Sequence, residues 1–203
     1  MKTRVFLIRH GETLWNQEQR CQGFKDVDLS EKGLEQAEKL ARYFAKKVQL
    51  EAIYSSDLIR ARRTAEAIAG RQRLEVRTDP RLRELNQGEI EGKNLMGMLA
   101  EYPGLMEQWI RKPAELKMPG GESLVQLQAR AWEAYNDIVE RHKGGTIAIV
   151  AHNLCNTVIL CKLLDLDLNN FRRIKQSSGA VNEIEVGASG AVIIRLNDTH
   201  FLG

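Results

Sequence analysis

Two stretches, Val5-Phe6-Leu7-Ile8 and Ile147-Ala148-Ile149-Val150-Ala151, are apolar at every position, and each is followed within two residues by a histidine. A strand with one face in water alternates apolar and polar side chains, so an apolar run without alternation has to be covered on both faces. Helices on both sides of a parallel sheet supply that cover. With 203 residues, 43% of them hydrophobic, the chain is long enough to bury such a sheet and suits one domain spanning 1–203.

The intervening patterns agree. Ser30 is an N-cap candidate, and Leu34, Ala37, Leu40, Ala41, Phe44 and Val48 recur at helical spacing, which predicts a helix to about Val48. Short apolar runs at 52–54 and 74–76 read as strands. Leu58 to Ala69 reads as a helix capped by Ser56 or Asp57 and ended by Gly70. A longer helix is predicted from Ser123 with Leu124, Leu127, Ala131, Tyr135 and Ile138 inward, and another over 153–164. Segments 180–186 and 191–196, separated by Gly187-Ala188-Ser189-Gly190, read as a closing hairpin that adds an antiparallel edge strand. The predicted fold is therefore an α/β/α sandwich with a mostly parallel sheet. Residues 84–122 break its rhythm with Gly88, Gly92, Gly97, Gly104, Gly120 and Gly121 and with Pro103, Pro113 and Pro119, and read as a helical insertion over the sheet.

Composition excludes several classes of function. Thirty basic against 27 acidic side chains give a net charge of +3, too even for a protein whose main partner is nucleic acid. No stretch approaches the roughly 20 apolar residues of a membrane span. Cys21, Cys155 and Cys161 make neither a disulfide framework nor a Cys-x-x-Cys metal site, which points to a reducing cytoplasm. A homodimer is compatible with the sequence.

The chemistry starts at Arg9-His10-Gly11. Ligand sites of open α/β sheets lie beyond the carboxyl ends of the strands, and this tripeptide follows the first strand directly. A neutral imidazole is a nucleophile towards phosphorus, the guanidinium can fork onto phosphate oxygens, and the glycine lets backbone come close. His152 ends the strand at 146–151 and should emerge at the same edge. The two histidines are too few for a zinc site, and His142 is expected in an exposed helix terminus. Arg60, near a helix N-terminus, could add a second guanidinium, although with Arg62 and Arg63 it also fits a solvated face. A proton for the leaving oxygen needs a carboxyl group, for which Glu84, Glu12 and Glu91 compete. Cys155, Cys161, Trp109 and Trp132 read as packing residues.

Taken in order, the motifs resemble the histidine phosphatase superfamily, which includes phosphoglycerate mutases and small phosphatases. They are Arg9-His10-Gly11-Glu12-Thr13 with Trp15-Asn16, Gln22-Gly23, Asp28-Leu29-Ser30, Ser55-Ser56-Asp57-Leu58 with Arg60-Ala61, Leu82-Arg83-Glu84, Glu91-Gly92, Pro119 to Ser123, and Val150-Ala151-His152. The resemblance implies a phosphohistidine at His10, phosphate binding by Arg9, Arg60 and His152 with Asn16, Gln22 and Gly23 nearby, and Glu84 as the acid. It implies no metal and no cofactor, with a small phosphomonoester as substrate. Ile90 stands where many members have Trp, and Asn153 where many have Gly, changes that bear on the leaving-group pocket. The short chain and Gly120-Gly121-Glu122-Ser123 look like the phosphatase branch, with a mutase and a non-catalytic phospho-ligand module as alternatives. Gln176, Val181-Asn182 and Leu196 to His200 are most similar to α-ribazole phosphatase-type proteins, which implies α-ribazole 5'-phosphate as substrate.

Overall fold

The computed structural model describes residues 1–203. Six strands form one sheet: β1 (Thr3–Arg9), β2 (Ala52–Ser55), β3 (Val76–Thr78), β4 (Thr146–Ala151), β5 (Val181–Gly187) and β6 (Gly190–Asp198). Their order is β3-β2-β4-β1-β5-β6. The first four in that order are mutually parallel, while β5 runs antiparallel to β1 and β6 antiparallel to β5. The antiparallel edge is thus two strands wide.

The apolar runs are covered on both faces, as their lack of alternation requires. Phe6, Ile8, Ile53, Ala148 and Val150 pack under α2 (Glu31–Lys47) and α3 (Ile59–Gln72), where they meet Leu40, Phe44, Ala61, Ala65 and Ile68. Val5, Leu7, Tyr54, Ile147 and Ile149 face the opposite way, against α6 (Leu124–Arg141) and α7 (Asn153–Leu163). The short α1 (Leu14–Gln17) follows β1, and the insertion contributes α4 (Leu95–Glu101) and α5 (Leu105–Arg111). No helix is long and apolar enough to cross a membrane.

Several local expectations are corrected. Leu34 leaves the predicted stripe and is exposed. Helix α3 does not stop at Gly70, where a Cβ would meet only open space, and runs on to Gln72. Arg73 takes the left-handed turn instead, at φ 56°, and the N–H of Leu74 closes onto the carbonyl of Ala69. Leu74 is therefore committed to the helix end, and β3 begins at Val76. Neither Ser56 nor Asp57 caps α3. Asp26, from a distant loop, accepts from the N–H of Ile59 at 2.6 Å. His142 is buried at the end of α6, between the Tyr54 hydroxyl (3.0 Å) and Glu51 (3.1 Å).

One close approach fixes the loop after β1. Ser30 caps α2 by accepting from the N–H of Gly33 and also reaches the carbonyl of Glu12. That contact presses the helix start against the Gly11-Glu12 backbone, so a Cβ on Gly33 would lie 1.9 Å from the Glu12 oxygen. Helix propensity alone would make Gly33→Ala stabilising by about 1 kcal/mol. We expect the reverse, a loss of roughly 1–3 kcal/mol from forced repacking, read as a lower midpoint in urea denaturation.

Candidate active site

Parallel register brings the two histidines together. Arg4 lies opposite Thr146 and the pairing stays in step to Arg9 opposite Ala151, so one further step sets His10 opposite His152. The N–H of His10 still bonds the Ala151 carbonyl at 3.1 Å. The two rings meet edge to face with centroids 5.1 Å apart, and both are buried.

Their protonation states follow from their surroundings. Nδ1 of His10 lies 2.6 Å from the carbonyl of Gly11. A carbonyl can only accept, so Nδ1 carries the hydrogen and the lone pair of the neutral ring sits on Nε2. Burial holds His10 well below the ordinary imidazole value, and the charges of Arg60 and Arg9 push the same way. His152 is lowered for the same reasons, burial first and Arg60 next, and neither of its ring nitrogens has a protein partner.

Arg9 and Arg60 are held by main-chain carbonyls. Arg9 Nη1 donates to Gln176 (2.6 Å), and the terminal nitrogens of Arg60 donate to Lys25 and Gly23 (2.8 Å each). The Nε of each arginine is buried without a partner. Burial lowers Arg9, against the attraction of Glu84 and Glu12, and brings Arg60 down to about 10, against Glu84, Asp26 and Glu91. Both guanidiniums remain charged at neutral pH. Arg60 is completely buried, which overturns the solvated-face reading of the arginine run.

These groups line a cavity of about 220 Å³ together with Asn16, Gln22, Gly23 and Glu84. All eight residues singled out from the sequence meet there or, for His152, directly behind His10. Asn16 spends its amide oxygen on the Thr13 cap, which leaves its amide nitrogen to donate. Gly23 adopts φ 50°, and a Cβ there would lie 2.0 Å from the Glu91 carboxylate.

The three candidate carboxylates stand in different surroundings. Glu91 accepts from the N–H groups of Phe24 (2.8 Å) and Gln87 (3.1 Å) and so ties the Gln22-Gly23 loop to the insertion. Glu12 is turned outward to Gln17 (2.7 Å) and Lys32 (3.0 Å). Only Glu84 lines the cavity. Its carboxylate accepts from the N–H groups of Leu85, Leu154 and Cys155, the last two in the first turn of α7. Arg130, on α6, donates to the carbonyls of Arg81, Arg83 and Glu84 and pairs with Glu122, holding this segment from behind.

Sequence reasoning missed Gln19, Arg20, Cys21, Gln87 and Leu154, which also line the cavity. Arg20 and Cys21 adjoin Gln22 in the chain, the one signal that could have marked them. Asn153 lines the cavity as well, so its departure from the family pattern falls at the site. No three His, Cys, Asp or Glu side chains come together as a metal site.

Residues 5–199 match the histidine phosphatase superfamily (branch 1). The chain belongs to that family. Phosphoserine phosphatase 1 of Hydrogenobacter thermophilus is 33% identical over 200 residues, covering 98% of this chain and 94% of the relative. A probable phosphoglycerate mutase, GpmB of Escherichia fergusonii, is 34% identical with the same coverage. Among solved structures, Bacillus stearothermophilus YhfR superposes with a TM-score of 0.93 at 33% identity, over 99% of this chain and all of that one. With this membership, the histidine phosphatase is by class a phosphoric monoester hydrolase.

Buried neutral histidines carry a pH signature. His10 and His152 gain a proton near pH 6.5 only after unfolding, so below that pH the unfolded state binds more protons and stability falls as pH falls. Each contributes a slope of up to about 1.4 kcal/mol per pH unit. Urea denaturation between pH 7.5 and 5 should therefore show declining stability, and the decline should be shallower in His10→Gln/His152→Gln.

Proposed function

We propose that this phosphatase hydrolyses small phosphomonoesters through a phosphohistidine at His10, without a metal ion. The observation that carries the reading is a pair of guanidiniums, Arg60 fully buried and Arg9 partly so, that hydrogen-bond only to carbonyls beside a neutral histidine whose Nδ1 is pinned to Gly11. No carboxylate is hydrogen-bonded to either guanidinium, so both can fork onto the oxygens of a phosphate dianion. Arg9, Arg60 and His152 bind the phosphoryl oxygens, with Asn16, Gln22 and the Gly23 backbone around them.

In the first step His10 Nε2 bonds to phosphorus as the ester P–O bond breaks, and protonated Glu84 gives its proton to the departing alkoxide. In the second, Glu84 takes a proton from water while the water oxygen attacks phosphorus and His10 leaves. The sum is ester plus water giving alcohol plus inorganic phosphate. The two arginines supply the positive charge that a metal ion gives in other phosphatases.

The finer α-ribazole 5'-phosphate reading draws on residues away from the leaving group. Gln176 and Asn182 exchange amide hydrogen bonds at 2.8–2.9 Å, Asn182 also accepts from the N–H of Asn197, and Gln176 presents its carbonyl to Arg9. They position Arg9, so α-ribazole 5'-phosphate is one phosphomonoester to test among others. A mutase would hold a second phosphate beyond the first, where the wall past Gln87 is apolar. Three free thiols, at Cys21, Cys155 and Cys161, suit the cytoplasm.

Hydrolysis of p-nitrophenyl phosphate should persist in EDTA. His10→Ala should lose at least about 1,000-fold in kcat, and Glu84→Gln about 100-fold to 10,000-fold. Acid-labile, base-stable label should appear on the wild type during turnover and not on His10→Ala. Full activity in His10→Ala would remove the nucleophile assignment.

A further inference from the structure

Behind the phosphate cavity lies a second chamber of about 160 Å³, walled by Ile90, Met98, Leu105, Met106, Trp109 and Met118. Apart from Gln87, none of its lining side chains is polar in the ordinary sense, and none is charged. Cys21 and Gln87 line both spaces and stand at the boundary between them. Burial, reinforced by the nearby Glu91, pushes the Cys21 thiol up, so the boundary stays uncharged at neutral pH.

We infer that the chamber is a leaving-group subsite for an uncharged, apolar alcohol moiety about the size of a six-carbon chain. The inference rests on the phosphatase reading above. If phosphate sits between Arg9 and Arg60, the ester oxygen must face Glu84, and Gln87 lies three residues further along the same segment. The carbon skeleton attached to that oxygen then has a short path past Gln87 and Cys21 into the chamber.

The lining favours an apolar occupant. The wall is built from unbranched, polarisable methionines and a tryptophan, side chains that adapt to varied apolar shapes. The Oε1 of Gln87 at the boundary is buried without a protein partner, an acceptor that suits the polar, ester side of a substrate rather than its carbon chain. The competing feature is Arg20, which could draw an acidic leaving group. It lines the first cavity only, and there it pairs with Glu18 at 2.9 Å and lies over the Trp15 ring.

The test uses the full chain and the series ethyl, n-butyl and n-hexyl phosphate, whose alcohols are of nearly equal acidity, beside O-phosphoserine and 3-phosphoglycerate. We expect kcat/KM to rise about ten-fold or more from ethyl to hexyl phosphate, and hexyl phosphate to exceed both acidic esters. Met106→Lys, which places a charge in the chamber wall, should collapse the hexyl-to-ethyl ratio towards one, while Met106→Leu should keep it. Should Met106→Lys fail to fold, the wild-type series decides alone. Turnover with a flat series, or with the acidic esters preferred, overturns the subsite and leaves the phosphatase reading standing. Hydrolysis of no ester overturns both.

Discussion

A carbonyl oxygen accepts a hydrogen bond from a guanidinium without neutralising it, and on that distinction the rest of this structure depends. Arg60, fully buried, and Arg9, half-buried, are held as cations against main-chain oxygens of Lys25, Gly23 and Gln176. Glu84 attracts both guanidiniums through space, with Glu12 acting on Arg9 and Asp26 and Glu91 on Arg60, but none of these carboxylates is hydrogen-bonded to them, so part of the cost of holding the charges out of water stays with the fold. Burial first, and these two charges after it, keep His10 and His152 neutral. A carboxylate paired to either arginine would ease the burial but would occupy the place of the phosphate and weaken the bias towards a neutral nucleophile.

Support for this arrangement comes from elements far apart in sequence. Asp26 caps α3 and so fixes the turn that carries Arg60, while Glu91 fastens the loop whose carbonyl at Gly23 receives that arginine. Glu122 and Arg130 do the equivalent for Glu84, the one by accepting from the N–H of Asn86 and the other by gathering three carbonyls. Carboxylates are thus plentiful around the site but bind backbone or distant arginines, which leaves Glu84 as the one that lines the cavity.

What could be read from sequence follows the range of the interaction concerned. The sheet was legible because unalternating runs such as 5–8 and 147–151 admit few alternatives, and the histidines could be placed because both follow such runs. Register then did the remaining work, since parallel pairing of Arg9 with Ala151 carries His10 to His152. Helix ends were less legible. Gly70 carries the usual stop signal, yet the chain turns at Arg73, because an exposed glycine is tolerated within a helix and the wrap of Leu74 onto Ala69 sets the end. The burial of His142 escapes the sequence for a related reason: its polar neighbours in sequence are exposed, but Tyr54 of β2 and Glu51, just before that strand, reach it. Glu84 could be chosen among three glutamates only by resemblance, because what separates them is which one each distant partner claims.

The division of labour within the chain follows from this. Arg9, His10 and His152 stand at or just beyond strand ends and Arg60 in the first turn of a helix packed on the sheet, where the ladder and the core fix their positions, while Glu84 is held by the N–H groups of the first turn of α7. The apolar chamber is built almost wholly by the insertion, whose helices α4 and α5 contribute no strand and bury few residues of their own. Substitutions there repack a local wall without disturbing the register that joins His10 to His152. Gln87 belongs to both parts, since its N–H bonds the same Glu91 oxygen that anchors the phosphate loop while its side chain faces the chamber. Through that one carboxylate, the position of the leaving-group boundary is tied to the position of Arg60, and a change in the insertion that moved Gln87 would be felt at the phosphate.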